Sequence, residues 1–280
     1  MKKLRICSSL NLHYYPREDI SSYIKAGLLF HKEMGFDAAD FSLESLGMAA
    51  EGWQVIAEKA LDDAREVGIQ IEQCHLPYSA NVCHPFDEKM HRAIDAAAFL
   101  GVDYAVLHPN TATLPMEEYD RKVQHDLVMK HLAPFVEHGN RVGVKIVVEN
   151  LRVVHGHVSA HRYCQEPDEL CDIADALGIG VCWDFGHAHI SGVKQSEALA
   201  YVGKRLKAIH VNDNFADGDI HIPPFTGTLD WRDAMHGLAL ADYEGLFNYE
   251  LNTGRIPAGM RTQYAQYAIA AAHELMSYIE

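Results

Sequence analysis

Short apolar runs and amphipathic stretches alternate from one end of the chain to the other, and this alternation limits the fold more than any other feature. Runs rich in Val, Ile, Leu and aromatic residues predict strands at Leu4–Leu10, Ala39–Leu43, Ile69–His75, Tyr104–His108, Lys145–Asn150, Gly180–Asp184, Leu206–Asn212 and Leu246–Asn252. Helical patterns fill the intervals: Ile20–Met34, Gly52–Val67, Asp87–Leu100, Glu117–His138, Pro167–Leu177, Ser196–Arg205, Asp230–Leu240 and Met260–Ile279. Gly35, Gly68, Gly101 and Gly178 follow the last periodic residues as left-handed helix ends, and Gly139 does the same for the longest helix. Ser196 and Asp230 are expected N-caps. Strands that alternate with helices pair in parallel through helical crossovers. Eight such units in 280 residues, about 35 residues each, suffice to close a barrel and abolish the sheet edges. The expected fold is therefore α/β, a (β/α)8 TIM barrel forming a single domain over residues 1–280. An open doubly wound sheet is the rival, but the turn Leu10-Asn11-Leu12-His13-Tyr14 lacks the glycines that fold would place after its first strand. The same absence argues against a nucleotide cofactor.

The net charge of −15 disfavours nucleic acid and anionic membrane surfaces as partners. No run approaches the roughly 18 apolar residues of a membrane helix, and Met1-Lys2-Lys3-Leu4-Arg5 is not followed by a leader-like apolar core. Six cysteines with no CxxC pair read as reduced, mostly buried thiols, which points to a cytoplasmic protein. The long helix Glu117–His138 is a candidate surface for pairing into a homo-oligomer.

Eighteen histidines carry the functional argument. In a parallel barrel the C-terminal strand ends converge on one mouth. Here those ends carry His75, His108, Glu149, Asp184, His210 and Glu250, spaced by about one strand–helix unit. A single Glu or His at a strand end is ordinarily a satisfied structural group. Six in register, with Glu149 directly after Val-Val and Asp184 beside Cys-Trp, are costly to bury unless paired or bound to a cation. Glu149, Asp184, His210 and Glu250 form a set of three carboxylates and one imidazole that suits Mn²⁺, Mg²⁺, Co²⁺ or Zn²⁺. His187 and the pair Asp219 and His221, whose i, i+2 spacing points both side chains one way in extended chain, are additional metal or substrate candidates. His189, His155 and His157 are weaker ones; Asp213 and Asn214 are expected to shape the loop, and Trp183 and Trp231 to pack. His31, His84, His91, His125, His131, His138, His161, His236 and His273 fall on helices or outer loops and are read as surface residues. No basic cluster follows strands seven or eight, where barrels commonly bind phosphate; Arg152, Lys194 and Arg255 stand alone.

Val148-Glu149-Asn150, Trp183-Asp184-Phe185-Gly186-His187, Ile209-His210-Val211-Asn212-Asp213, the Pro-Gly loop closing on Leu229-Asp230-Trp231, and Tyr249-Glu250-Leu251 resemble the xylose-isomerase-like barrel superfamily. That superfamily includes sugar-phosphate isomerases and epimerases, ketohexose 3-epimerases, inosose dehydratase-like proteins and endonuclease IV. Resemblance to the ketohexose 3-epimerases implies one divalent metal on Glu149, Asp184, His210 and Glu250, with Glu149 and Glu250 doubling as the acid/base pair and His187 touching substrate oxygens. His221 stands where that family has a substrate-binding arginine. Resemblance to endonuclease IV implies a different site of three zinc ions on nine side chains, matched here by His75, His108, Glu149, Asp184, His187, His210, Asp219, His221 and Glu250. The stretch Asn150-Leu151-Arg152-Val153-Val154-His155 lacks the Gly- and Gln-containing DNA-side segment expected of that enzyme. The expected activity is a metal-dependent sugar isomerase or epimerase acting on a small carbohydrate, with a multinuclear metallo-hydrolase or lyase as the alternative.

Overall fold

The computed structural model describes residues 3–13, 19–78, 84–109, 111–153, 160–254 and 256–279. Cys83, His155, His157 and Arg255 lie outside the described residues, as does the side chain of His84. Eight parallel strands form the sheet: β1 (Arg5–Ser9), β2 (Ala38–Ser42), β3 (Gln70–His75), β4 (Tyr104–Leu107), β5 (Ile146–Glu149), β6 (Gly180–Asp184), β7 (Leu206–His210) and β8 (Leu246–Tyr249). Neighbours in sequence are neighbours in space, and β8 returns to pair with β1 through Arg5–Leu246 to Ser8–Tyr249. The last seam closes above the strands proper. There Val211 bridges Tyr249, its N–H donates to Asn248 O at 2.8 Å, and it accepts from Glu250 N at 3.2 Å.

Side chains alternate in and out along each strand. Residues on one parity pack into a large core between sheet and helices. On the other parity Val106, Val147, Cys182 and Ala208 make a small buried cluster of their own. His108, Glu149, Asp184 and His210 each lie two residues further along the same strands. The sequence alternation therefore stacks the polar mouth directly on an apolar plug.

The helices are α1 (Ile20–Met34), α2 (Trp53–Val67), α3 (His84–Leu100), α4 (Arg121–Val142), α5 (Pro167–Leu177), α6 (Phe185–Ile190), α7 (Gln195–Val202), α8 (Trp231–Leu240) and α9 (Arg261–Met276). Gly35, Gly68 and Gly178 end their helices in the left-handed conformation, and Gly101 also has positive φ. Asp230 caps α8 by accepting from Arg232 N and Asp233 N, both at 3.1 Å. No helix among the described residues is long and apolar enough to cross a membrane.

Four expectations need correction. Helix α4 starts and stops four residues later than the pattern suggested, capped by Asp120 and ended at Gly143 with φ +88°. Gly139 serves a different purpose there: a Cβ on it would lie 2.8 Å from Ile146 Cδ1, so it lets the helix lie close on β5. Ser196 is not a cap; its N–H and hydroxyl donate to Asp233, which ties α7 to α8. His31 is fully buried rather than on the surface, donating from Nδ1 to Gly27 O at 2.9 Å and packing on Phe36. Finally, Thr113–Pro115 and Ala160–Arg162 pair as a short antiparallel ribbon outside the barrel, too brief to show a period.

Candidate metal centre

The four strand-end groups converge. Glu149, Asp184 and His210 are fully buried, while Glu250, one residue past β8, is partly exposed. His210 Nδ1 lies 3.2 Å from Glu149 Oε1 and 3.2 Å from Glu250 Oε2. One ligand atom from each of Glu149, Asp184, His210 and Glu250 falls within 4.8 Å of the others.

Two flanking sets share this mouth. His75, His108 and Glu149 form one, with Glu149 Oε2 3.0 Å from His108 Nε2 and 3.4 Å from His75 Nε2. His187, Asp219 and His221 form the other, with His221 Nε2 2.9 Å from Asp219 Oδ1 and His187 Nε2 3.5 Å from Asp219 Oδ2. All nine residues singled out in the sequence thus meet in one region, and Cys182 joins Glu149 and His210 in a further set, so that Glu149 belongs to three of the four.

Backbone carbonyls fix which imidazole nitrogen faces the mouth. His75 Nδ1 donates to Leu76 O at 2.7 Å, His187 Nδ1 to Asn150 O at 2.9 Å and His221 Nδ1 to Glu250 O at 2.8 Å. Each turns Nε2 toward the cluster, the arrangement that orients histidine ligands. Gln73 places its side-chain amide 3.2 Å from His210 Nε2. The carboxylates are held too. Asn212 Nδ2 donates to Asp184 Oδ2 at 2.7 Å, and Asn150 both accepts from Asp184 N at 2.7 Å and donates to its carbonyl at 3.0 Å. Gly186, in the turn after Asp184, packs so tightly on Asn212 that no Cβ fits.

Electrostatics separate the groups. Burial opposes charge on Glu149, yet the imidazoles of His210 and His108 hold its carboxyl well below the usual range. Glu250 behaves the same way beside His210 and His221. Burial pushes Asp184 up. Burial works against the charged forms of His187 and His221, but Asp184 and Asp219 around the first, and Asp219 and Glu250 around the second, raise them to about 9 and about 10. Inside the site, Glu149 Oε1 and His210 Nδ1 are buried and, although 3.2 Å apart, make no aligned hydrogen bond to each other or to another group. Buried polar atoms are nearly always satisfied. These two, on adjacent members of a carboxylate–imidazole set, fit a divalent cation.

Several supporting residues were not legible beforehand. Arg152 donates from Nε to Asp219 Oδ2 at 2.9 Å and so belongs to the third set. Gln73, Asn150 and Asn212 support ligands; only their place beside a strand-end ligand could have marked them. Asp213, as expected, organises its loop, accepting from Asn214, Gly227 and Leu229 N–H groups and from Trp231 Nε1 at 2.9 Å. His189 bonds Thr228 Oγ1, away from the sets.

Comparison with known proteins agrees with this architecture. The D-tagatose 3-epimerase-like protein superposes with a TM-score of 0.75 at 18% identity, covering 99% of this chain and 98% of that one. The 3-keto-D-glucoside 4-epimerase YcjR from E. coli gives 0.73 at 19% identity, over 97% of this chain and 100% of that one. Among sequence relatives, the uncharacterized protein y4fM of Sinorhizobium fredii is 28% identical over 195 residues, which are 68% of this chain and 60% of that protein. The chain thus spans less than two thirds of that relative's length. The uncharacterized protein MJ1311 of Methanocaldococcus jannaschii is 23% identical over 231 residues, 76% of each chain. Residues 29–274 match the family described as the xylose isomerase-like TIM barrel, and the chain belongs to that family.

Proposed function

We propose that this protein is a divalent-cation-dependent isomerase or epimerase acting on a ketose, aldose or related polyol. The observation that carries the reading is the placement of Glu149 and Glu250, which reach one nitrogen, His210 Nδ1, at 3.2 Å each from β5 and from the end of β8. The solved neighbours named above, one an epimerase and one epimerase-like, support it.

Glu149, Asp184, His210 and Glu250 would hold the cation, which when bound polarises a sugar carbonyl and offsets the negative charge that builds on the sugar oxygens. Both glutamates are held ionised, so either can act as base toward a carbon-bound proton beside that carbonyl. Return of the proton to the neighbouring carbon isomerises the sugar; return to the opposite face epimerises it. Acid–base work of this kind contributes about 10²–10⁴-fold. His187 and His221 orient substrate hydroxyls. The five described cysteines are free and buried, in keeping with a cytoplasmic site of action.

The test is wash-in of solvent deuterium at the substrate carbon, followed by NMR. Glu149→Gln and Glu250→Gln should each abolish it while the fold persists. Exchange retained in both variants would end the assignment.

The two flanking sets favour a second reading, a multinuclear hydrolase or lyase acting on a small molecule. Metal content per chain separates the two: one ion supports the isomerase, three the multinuclear site.

A further inference from the structure

Beside the metal-competent sets lies a chamber of about 290 Å³. His75, His108 and Glu250 form its wall on the cation side. The facing wall comes from β1, β2 and the turn that follows, and presents Ser9, Asp40, Ser42 and Ser45. Asp40 is only 2% exposed. Its Oδ2 accepts from Asn248 Nδ2 at 2.8 Å, but Oδ1 has no hydrogen-bond partner. Buried acceptors are ordinarily satisfied, so this one calls for a donor from whatever fills the space beside it. The three serine hydroxyls both donate and accept; Ser42 Oγ already donates to Ser45 Oγ at 2.9 Å.

What the wall lacks is equally informative. None of the described residues lining the chamber is Lys or Arg. Among the described residues, two cations bond to side chains that line the chamber, Glu44 and Tyr78. Lys89 Nζ pairs with Glu44 at 3.1 Å, and Arg162 donates to the Tyr78 hydroxyl at 3.0 Å. The described wall of hydroxyls and carboxylates, with Lys89 and Arg162 already bonded to Glu44 and Tyr78, suits a neutral polyol better than a phosphate or carboxylate.

We propose that this chamber is the specificity subsite: it takes the part of an unphosphorylated, polyhydroxylated sugar remote from the reacting carbon, with Asp40 Oδ1 accepting one of its hydroxyls. The inference rests on the sugar reading above and adds the substrate's chemical class.

Calorimetric titration of the intact protein with D-fructose, myo-inositol and D-fructose 6-phosphate, in the presence of Mg²⁺, tests it. At least one neutral probe should bind, and the phosphate ester at least tenfold more weakly. Asp40→Asn should weaken the neutral probe about tenfold with unchanged metal content and melting temperature. Ser45→Arg, on the exposed rim, should admit the phosphate ester. Should Asp40→Asn not fold, Ser42→Ala decides by the same loss of affinity. The proposal is overturned if neither neutral probe binds, if the phosphate ester binds the native protein as tightly as D-fructose, or if the Asp40 and Ser42 variants bind as the native protein does. Binding needs no proton transfer, so these outcomes are independent of the deuterium exchange that tests Glu149 and Glu250.

Discussion

Arg152 and Asp219 form an ion pair inside the metal-competent region, Nε to Oδ2 at 2.9 Å, on the same carboxylate that His187 and His221 approach. A guanidinium is charged at any accessible pH and brings a fixed positive charge to the third set. That charge opposes a cation there, whereas among the described residues no arginine pairs with Glu149, Asp184, His210 or Glu250. Both partners are partly exposed, so solvent screens the pair and the effect is modest, about 1 kcal/mol or roughly fivefold in affinity. Arg152→Ala should therefore raise divalent-ion retention against a chelator, with the gain confined to the weaker class of sites. Lower retention would show that Arg152 instead holds Asp219 in ligating position.

The pH response follows from His187 and His221, raised to about 9 and about 10. An unfolded histidine titrates near 6.5. Where the folded value lies above the unfolded one, the stabilisation is complete below the unfolded value and vanishes as pH rises through the folded value. The chelator-stripped protein should thus melt progressively lower between about pH 6.5 and pH 10. Cation ligation needs neutral imidazole, so divalent-ion affinity should climb across the same window. Scanning calorimetry of the stripped protein checks the first trend, and His221→Gln should flatten it. A melting temperature that rises over this range contradicts the assignment.

Asn150 links two strand ends through side-chain bonds to both backbone groups of Asp184. Asn150→Leu leaves the buried Asp184 N–H without its acceptor, a penalty of about 1–3 kcal/mol, and removes a second donor from the Asp184 carbonyl. The melting temperature should drop, and with Asp184 released, ion affinity should drop more than in a core variant of equal instability such as Ile173→Val. Equal losses in the two variants would reduce Asn150 to a purely structural role.

The barrel and the convergence of the strand-end carboxylates and imidazoles were legible because each rests on a strong periodic constraint. Eight alternations of period leave few closed topologies, and on four strands His108, Glu149, Asp184 and His210 share one parity with the plug residues Val106, Val147, Cys182 and Ala208. Helix boundaries were legible where a glycine had only one use. Gly139 misled because close packing on Ile146 and a helix stop favour the same residue. Arg152, Gln73 and Asp40 were hidden for another reason. Their roles depend on which strand lies beside which and on the direction of one side chain, neither of which has a period. The burial of His31 escaped in the same way, since a histidine within an amphipathic helix reads as polar until its face is known.

Gly186 offers the sharpest test of that packing. It follows Asp184 and Phe185 in α6, and a Cβ there would collide with the Asn212 side chain, whose Nδ2 donates to Asp184 Oδ2 at 2.7 Å. The obstructing atoms belong to two fully buried amides, Asn212 and Asn214, each held by a hydrogen bond, so neither yields freely. Overpacking of this kind typically costs about 1–3 kcal/mol. At about 2–4 °C per kcal/mol for a domain of 150–250 residues, Gly186→Ala should melt several degrees lower. Because the displaced group is the one that orients Asp184, divalent-ion affinity should fall as well, and Gly186→Ala combined with Asn212→Ser, which clears the space, should recover part of the melting temperature but not the affinity. Full recovery of both would place the strain in α6 itself and detach Asn212 from the candidate metal centre.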